Sequence, residues 1–447
     1  MAQTDALNKQ IFRLGIPNMV ASLSVPLIGI ADTALVGHLS DVAFVGAVSV
    51  GSVILDVVFW GLGFLRMGTT ALTAQYFGAN QRRDCSGVMF LACLIAIVVG
   101  VVLVVFRQSI AQLGFFLAGG SADVQFWGRQ YTEIRLWAAP LILLTFVLTG
   151  FFRGLGNVLS PMWLTIFVNV VNVVADYALI YGKWGVPELG VLGAAWASVL
   201  SAGVGLLYAL FVMCKRHRMF LTERPLHFFD RAKLRLLGTT HFYLFGRTAC
   251  LLFAQFYMLN QVAGMGEVAL AANAVLMQLW SLVSYFVDGI AHSAETLIGQ
   301  AIGARDFLKT RRIGRLCLWW GAGVSACYTL VYILGIHPIA QVFTDHHEVR
   351  ILVGDMILWV AVILPLNGAV FVFDGIFIGA NDSRFLFGAM ALSSFGVFLP
   401  GCVLFVDGLD LGLQGAWMGL NGLMLGRFAT LCYRYNRDGW LRSMVKP

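Results

Sequence analysis

Charge is scarce in this chain. Asp, Glu, Lys and Arg together make up 12% of its 447 residues, about half the fraction expected of a soluble domain. A folded chain of this length has more water-facing surface than so few charges can cover, which excludes an ordinary water-soluble globule. Paired cysteines are also missing. The eight cysteines (Cys85, Cys93, Cys214, Cys250, Cys317, Cys327, Cys402 and Cys432) are scattered, mostly within apolar runs. Without a C-x-x-C or a Cys/His pair, they imply neither a disulfide framework nor a metal site. No P-loop, G-x-S-x-G or clustered His/Asp ligand set occurs, which argues against an ATP-driven pump or a membrane-embedded enzyme and implies no cofactor. A cleavable signal peptide is not expected either. The apolar stretch after Arg13 is too long for a signal h-region and lacks a small-residue cleavage site, so it reads as a first permanent span.

What the chain does have is apolar residues, 59% of the total with a mean hydropathy of +0.82, gathered in membrane-length runs. Between polar breaks they predict twelve helices, at 12–38, 44–74, 86–106, 127–152, 160–181, 191–214, 236–262, 268–300, 313–335, 351–378, 385–406 and 412–434. The second and eighth exceed the bilayer thickness and must tilt or project beyond it. The net charge of +7 is distributed as a topology signal. The stretch between the sixth and seventh spans holds Lys215, Arg216, Arg218, Arg224, Arg231, Lys233 and Arg235. Arg305, Lys309, Arg311, Arg312 and Arg315 follow the eighth span, and Arg434, Arg437, Arg442 and Lys446 lie in the tail. The opposite side keeps Arg107, Arg129, Lys183 and Arg350. By the positive-inside rule both termini are expected in the cytoplasm, and the basic excess calls for no nucleic acid.

The chain also repeats itself. Shifted by 225 residues, Leu72–Ala79 (LTAQYFGA) meets Leu297–Ala304 (LIGQAIGA), and Gly150–Gly154 (GFFRG) meets Gly375–Gly379 (GIFIG). At nearly the same shift Asp41–Phe44 meets Glu267–Leu270, and Leu189 meets Leu411, each of the latter followed by an Ala-Trp pair at Trp196 and Trp417. Each half holds an even number of spans, so both halves enter the membrane from one side and are related by an axis along its normal. The expected fold is therefore an all-α polytopic membrane protein with twelve transmembrane helices in two six-helix bundles related by a pseudo-two-fold axis. The expected division is an N-terminal bundle at 1–214, a cytoplasmic linker at 215–235 and a C-terminal bundle at 236–447.

Ionisable residues inside apolar spans are functional candidates by default, because a charge at mid-bilayer costs about 3 kcal/mol or more. Asp32 lies deep in the first span, after Pro17 and Pro26. A low dielectric favours the neutral acid, so such a carboxylate can take up and release a proton as its surroundings change. Proline removes a backbone donor and invites a bend in the helix that carries it. Asn169, Asn172 and Asp176 recur at i, i+3 and i+7 and share one face of helix five. They suit a proton network, a site of oxygen ligands for a small hard cation, or hydrogen bonds that only hold helices together. In the second half Asp288, His292 and Glu295 share a face of helix eight, and Asp374 lies late in helix ten. The helix-eight stripe either lines a cavity or packs against Arg66 or Arg247; Glu295, near the cytoplasmic end, reads as structural.

Several stretches resemble one transporter family. Pro26–Leu39 (PLIGIADTALVGHL), the loop Gly78–Asp84 (GANQRRD), Asn172–Gly182 (NVVADYALIYG) and Gly193–Ser198 (GAAWAS) resemble motifs of the multidrug and toxic compound extrusion (MATE) family. Phe64–Gln75, Asp288–Gln300 and Asp374–Ala380 are similar to its DinF branch. The resemblance spans nearly the whole chain. It implies a secondary multidrug exporter of the inner membrane, acting as a monomer among membrane lipid, that passes lipophilic or cationic small molecules out in exchange for inward H+ or Na+. It further implies that Asp32, Asn172, Asp176 and Ser198 form the cation-coupling pocket, with Na+ an alternative occupant to H+, and that Pro17 is the bending proline. A lipid-linked saccharide flippase is the alternative from the same superfamily; it needs a basic cavity, and the intramembrane arginines recognised, Arg66, Arg135 and Arg247, are few.

Overall fold

The structure, a computed structural model, describes residues 2–39, 42–223 and 231–441, apart from the side chains at 2, 3, 25–28, 30–34, 42, 232 and 337. Asp41, Arg224, Arg442 and Lys446 thus lie outside the described residues, as do the side chains of Pro26 and Asp32. In chain order the helices are α1 (Ala2–Val36), α2 (Val42–Gly61), α3 (Phe64–Gly78), α4 (Arg82–Val105), α5 (Arg107–Ala118) and α6 (Ala122–Leu136). Then come α7 (Ala139–Gly154), α8 (Leu159–Tyr181), α9 (Val191–Arg216), the short α10 (Met219–Thr222), α11 (Arg231–Ala263) and α12 (Glu267–Gly303). The last are α13 (Phe307–Phe343), α14 (His347–Ala361), α15 (Leu364–Gly379), α16 (Ser383–Ala391), α17 (Leu399–Cys402) and α18 (Gly412–Asn436). No strand occurs among the described residues.

Among the described residues eight helical stretches are long and apolar enough to cross a membrane, and two bent pairs bring the number to ten. With α1 at 35 residues and α18 at 25, the twelve expected spans are accounted for. Two of them are not the single rods that hydropathy suggests. The predicted helix 127–152 is α6 and α7, bent by 49°, and 351–378 is α14 and α15, bent by 54°. Each second segment opens with a proline, Pro140 and Pro365, which supplies no amide to the preceding turn and so breaks the hydrogen-bond ladder there. The two prolines stand 225 residues apart. The eleventh span contains two stretches of wider π-type turns, Leu392–Phe398 and Val403–Gly408.

The repeat read from sequence is a repeat of backbone geometry. After α3, the amides of Ala79, Asn80 and Gln81 bond the carbonyls of Gln75, Phe77 and Tyr76; after α12, those of Ala304, Arg305 and Asp306 bond Gln300, Ile302 and Ala301. Asn80 and Arg305 both take the left-handed conformation, φ 57° and 60°. After α7 the amides of Leu155, Gly156 and Asn157 bond Phe151, Arg153 and Phe152, matched by Ala380, Asn381 and Asp382 on Ile376, Ile378 and Phe377. The Gly-x-x-x-Gly motifs have one physical cause in both halves. A Cβ at Gly150 would stand 2.5 Å from the carbonyl oxygen of Arg66, and one at Gly154 2.9 Å from that of Thr70. Gly375 and Gly379 press in the same way on the backbones of Ala291 and Glu295. Small residues let two helix backbones meet, here α3 with α7 and α12 with α15.

The chain divides into two compact units, Leu23–Gly238 and Met1–Ser22 with Thr239–Pro447. The division falls inside α1 and α11. Polar contacts explain the grouping of the first turns of α1 with the later helices. Ser293 Oγ donates to Ile11 O at 3.0 Å, and Trp320 Nε1 donates to Asn8 Oδ1 at 3.1 Å. Phe12 meets the Trp320 ring edge-on, centroids 4.6 Å apart.

Where α9 and α18 end, the chain folds back onto the α7–α8 and α15–α16 corners. In the first unit His217 stacks on Phe152 and Phe220 meets Phe151 at 5.3 Å. In the second, Trp440 meets Phe377 at 6.1 Å. Polar contacts accompany both: Asn157 Nδ2 lies 3.0 Å from His217 Nε2, and Arg434 Nε donates to Asp382 Oδ2 at 2.8 Å. His217 and Phe220, which make these contacts, lie at the start of the expected linker; 224–230 lies outside the described residues.

Candidate functional site

In the first unit, α8 brings its polar face against α1 and α9. Asn169 Nδ2 donates to Ser24 O at 2.6 Å, and Tyr181 Oη donates to Leu35 O, also at 2.6 Å. Both bonds run forward along the two chains, so these segments of α1 and α8 are parallel and in register. Asn172 and Asp176 fall between the two anchors on α8, as position 32 does on α1. The backbone that carries Asp32 therefore lies alongside the turns that carry Asn172 and Asp176.

Asn172 and Asp176 are buried, 1% and 0% exposed. Asn172 Nδ2 donates to Ser198 Oγ at 3.4 Å, and Ser201 Oγ caps Ser198 O at 3.0 Å. Asn172 Oδ1 has no hydrogen-bond partner among the described residues. The approach of α9 follows from its Gly-Ala-Ala start: Gly193, Ala194, Ala195 and Ala197 are buried, and a Cβ on Gly193 would reach within 2.6 Å of Leu179 C. Of the four residues expected to form the pocket, Asn172, Asp176 and Ser198 are thus brought onto facing helices, and Asp32 is placed beside them by its backbone. Asn169, which shares their face, bonds the α1 backbone instead. Pro17 is buried within the uninterrupted α1, one residue before Asn18, whose Nδ2 donates to Leu14 O at 2.9 Å.

The second unit holds a different set. Asp374 is buried and receives two arginines on one oxygen: Arg247 from α11, and Arg427 from α18 at 2.5 Å. The sequence offered Arg247 to the stripe on helix eight; here it pairs with Asp374. Arg427 was missed; it stands between Gly426 and Phe428 in an otherwise apolar run, and that isolated charge was the available signal. His292 Nδ1 lies 3.2 Å from Glu295 Oε2 on α12, joining two members of the expected stripe. Asp288, the third, is half-buried on the same helix.

Duplicated bundles of membrane-length helices, with buried carboxylates and amides where lipid would otherwise lie, define a polytopic membrane transporter. The chain belongs to the MatE family, whose profile matches residues 17–178 and 245–404, one copy in each half. It is 31% identical over 401 residues to DNA damage-inducible protein F of Escherichia coli strain K12, covering 89% of this chain and 86% of that protein. It is 26% identical to the probable multidrug resistance protein NorM of Thermotoga maritima, over 97% of this chain and 91% of that one. The fold matches a crystal structure of a MATE transporter in the bent conformation, with a TM-score of 0.88 at 21% identity over 97% and 96% of the two chains. The Vibrio cholerae MATE transporter VcmN in the bent form matches with a TM-score of 0.87, also at 21% identity, over 99% and 100%. Members of this family are transporters and not enzymes.

Proposed function

We propose that this chain is a proton-coupled exporter of lipophilic or cationic compounds, with Asp32, Asn172, Asp176 and Ser198 as its coupling pocket. The observation that carries this reading is the pair of hydrogen bonds from Asn169 and Tyr181 to the α1 backbone. They hold the Asp32-bearing turns against a buried carboxylate and a buried amide. With both acids ionised, the pocket attracts a cation. Protonating them removes that attraction, and a switch follows only if the two states bind the substrate differently. Pro17 supplies the point at which α1 bends. The expected setting is the inner membrane with both termini cytoplasmic, a monomer in lipid, built as bundles 1–214 and 236–447 about the linker 215–235. Asp288 and Asp374 take no part in coupling on this reading.

Resemblance to the DinF branch and the multidrug designation of a relative support H+ as the coupling ion and varied small molecules as cargo. One observation favours Na+ as an alternative occupant: Asn172 Oδ1 is buried without a hydrogen-bond partner among the described residues, and an amide oxygen suits a small hard cation. The deciding experiment is substrate-triggered proton release from proteoliposomes, run with and without sodium. Antiport unchanged in Asp32→Asn sinks the assignment of that residue, and flux that requires sodium replaces H+ with Na+.

A further inference from the structure

One buried cluster of the second unit sets two arginines against a single carboxylate. Arg427, Asp374 and Arg247 are 2%, 7% and 8% exposed, so all three sit out of water. Two guanidinium groups meet one carboxylate, and both bond the same oxygen, Asp374 Oδ2. Among the described residues neither arginine has a second acidic partner. Of the other acids, Asp382 pairs with Arg434, and Glu295 Oε2 lies 3.2 Å from His292 Nδ1. The cluster therefore carries one uncompensated positive charge.

A buried charge without a counter-charge is strongly disfavoured unless something pairs with it. The hydrogen bonding points the same way. A guanidinium carries a fork of N–H donors suited to anions, yet Arg427 Nη1 is turned to Met424 Sδ at 3.5 Å, a weak acceptor. Arginine is also a poor candidate to shed its proton, since it stays charged in proteins.

We infer that Arg247 and Arg427, held in place by Asp374, form a binding site for one small monovalent anion within the second unit. One unit of excess charge sets the valence, and burial sets the size. The shared chemistry is that of a halide or a carboxylate group, supplied as an inorganic ion or as part of a small organic acid. The site is separate in sequence and element from the α1, α8 and α9 pocket.

The test uses the full chain purified in detergent, with thermal unfolding followed in the sodium salts of the bulky sulfonate HEPES, chloride and acetate at equal ionic strength. Wild type is expected to gain stability saturably in chloride, acetate or both, because an anion that binds only the folded state stabilises it. Response to chloride alone identifies an inorganic ion, and response to acetate alone a carboxylate. Arg247→Gln, which makes the cluster neutral, is expected to lose the response. Asp374→Asn, which doubles the excess charge, is expected to lower the half-saturating concentration by about tenfold, or ~1.4 kcal/mol. Should a variant fail to fold, equilibrium binding of radiolabelled chloride and acetate to wild type decides. The proposal is overturned by absence of saturable binding of both anions, or by an unchanged anion response in Arg247→Gln.

Discussion

The imidazole of His217 lies flat against the ring of Phe152, with centroids 5.3 Å apart and 27° between the planes. The same imidazole nitrogen, Nε2, faces Asn157 Nδ2 at 3.0 Å, and Asn157 is itself tied to Ser160 by two hydrogen bonds. Since Asn157 Nδ2 is a donor, Nε2 must accept, which requires a neutral ring. This contact closes the fold-back at the end of α9.

Its stability should therefore depend on pH. Burial and the neighbouring Arg216 guanidinium hold the His217 pKa below its ordinary value of 6.5. As pH falls, the released segment takes up a proton before the packed one does. The fold-back is fully stable above about 6.5 and loses stability as pH drops through that value toward the lower folded pKa. Hydrogen exchange of residues 217–222 should quicken accordingly. In His217→Phe, which keeps the ring contact without the titration, that acid dependence should disappear.

Alanine at Gly150 or Gly375 should destabilise the protein by about 1–3 kcal/mol, the usual cost of forcing atoms into a packed core. Both positions press on backbone rather than on movable side chains. Gly388, which has nothing within 4 Å of a built Cβ, is the control. There alanine should be neutral or stabilising by about 0.5–1 kcal/mol. Thermal unfolding in detergent separates the two classes.

Trp417 and Asn273 offer a test of the second unit's core. The buried indole Nε1 donates to Asn273 Oδ1 at 3.2 Å, and Asn273→Leu leaves that donor unpaired at a cost of about 1–3 kcal/mol. Trp417→Phe in addition should cost less than the sum of the two single changes. Strict additivity in the double-mutant cycle would mean that the hydrogen bond contributes nothing.

Asp176→Asn should abolish proton-linked transport while leaving the melting temperature within a few degrees of wild type, since size and burial are kept. Asn172→Ala should reduce transport by about tenfold or more, and Ser198→Ala by less, because its contact is long at 3.4 Å. Drug-driven dye quenching in proteoliposomes orders the three. Equal activity of all of them with wild type would remove α8 from the coupling site.

Much of this was legible in the residues themselves. Apolar runs located the spans, and the Gln-x-x-Gly and Gly-x-x-x-Gly landmarks gave the repeat its register, because helix packing depends on small residues that sequence displays directly. Hydropathy could not show the bends before Pro140 and Pro365, since a broken helix and a straight one bury the same residues. The i, i+3 and i+7 spacing found the polar face of α8. It did not reveal that Asn169 serves the α1 backbone, because its partner lies 145 residues away in sequence. Asp374 was visible as an isolated acid. Its two arginines come from α11 and α18, and no periodicity within one helix predicts a meeting of three.

The glycine contacts have a practical consequence for measuring motion. Where two backbones touch through glycine, no side chain lies between them to rearrange, so α3 and α7 should keep a constant spacing whatever the transporter is doing. The same holds for α12 and α15. Spectroscopic labels placed across either pair would serve as a built-in ruler of fixed length, against which any change elsewhere in the same unit can be calibrated.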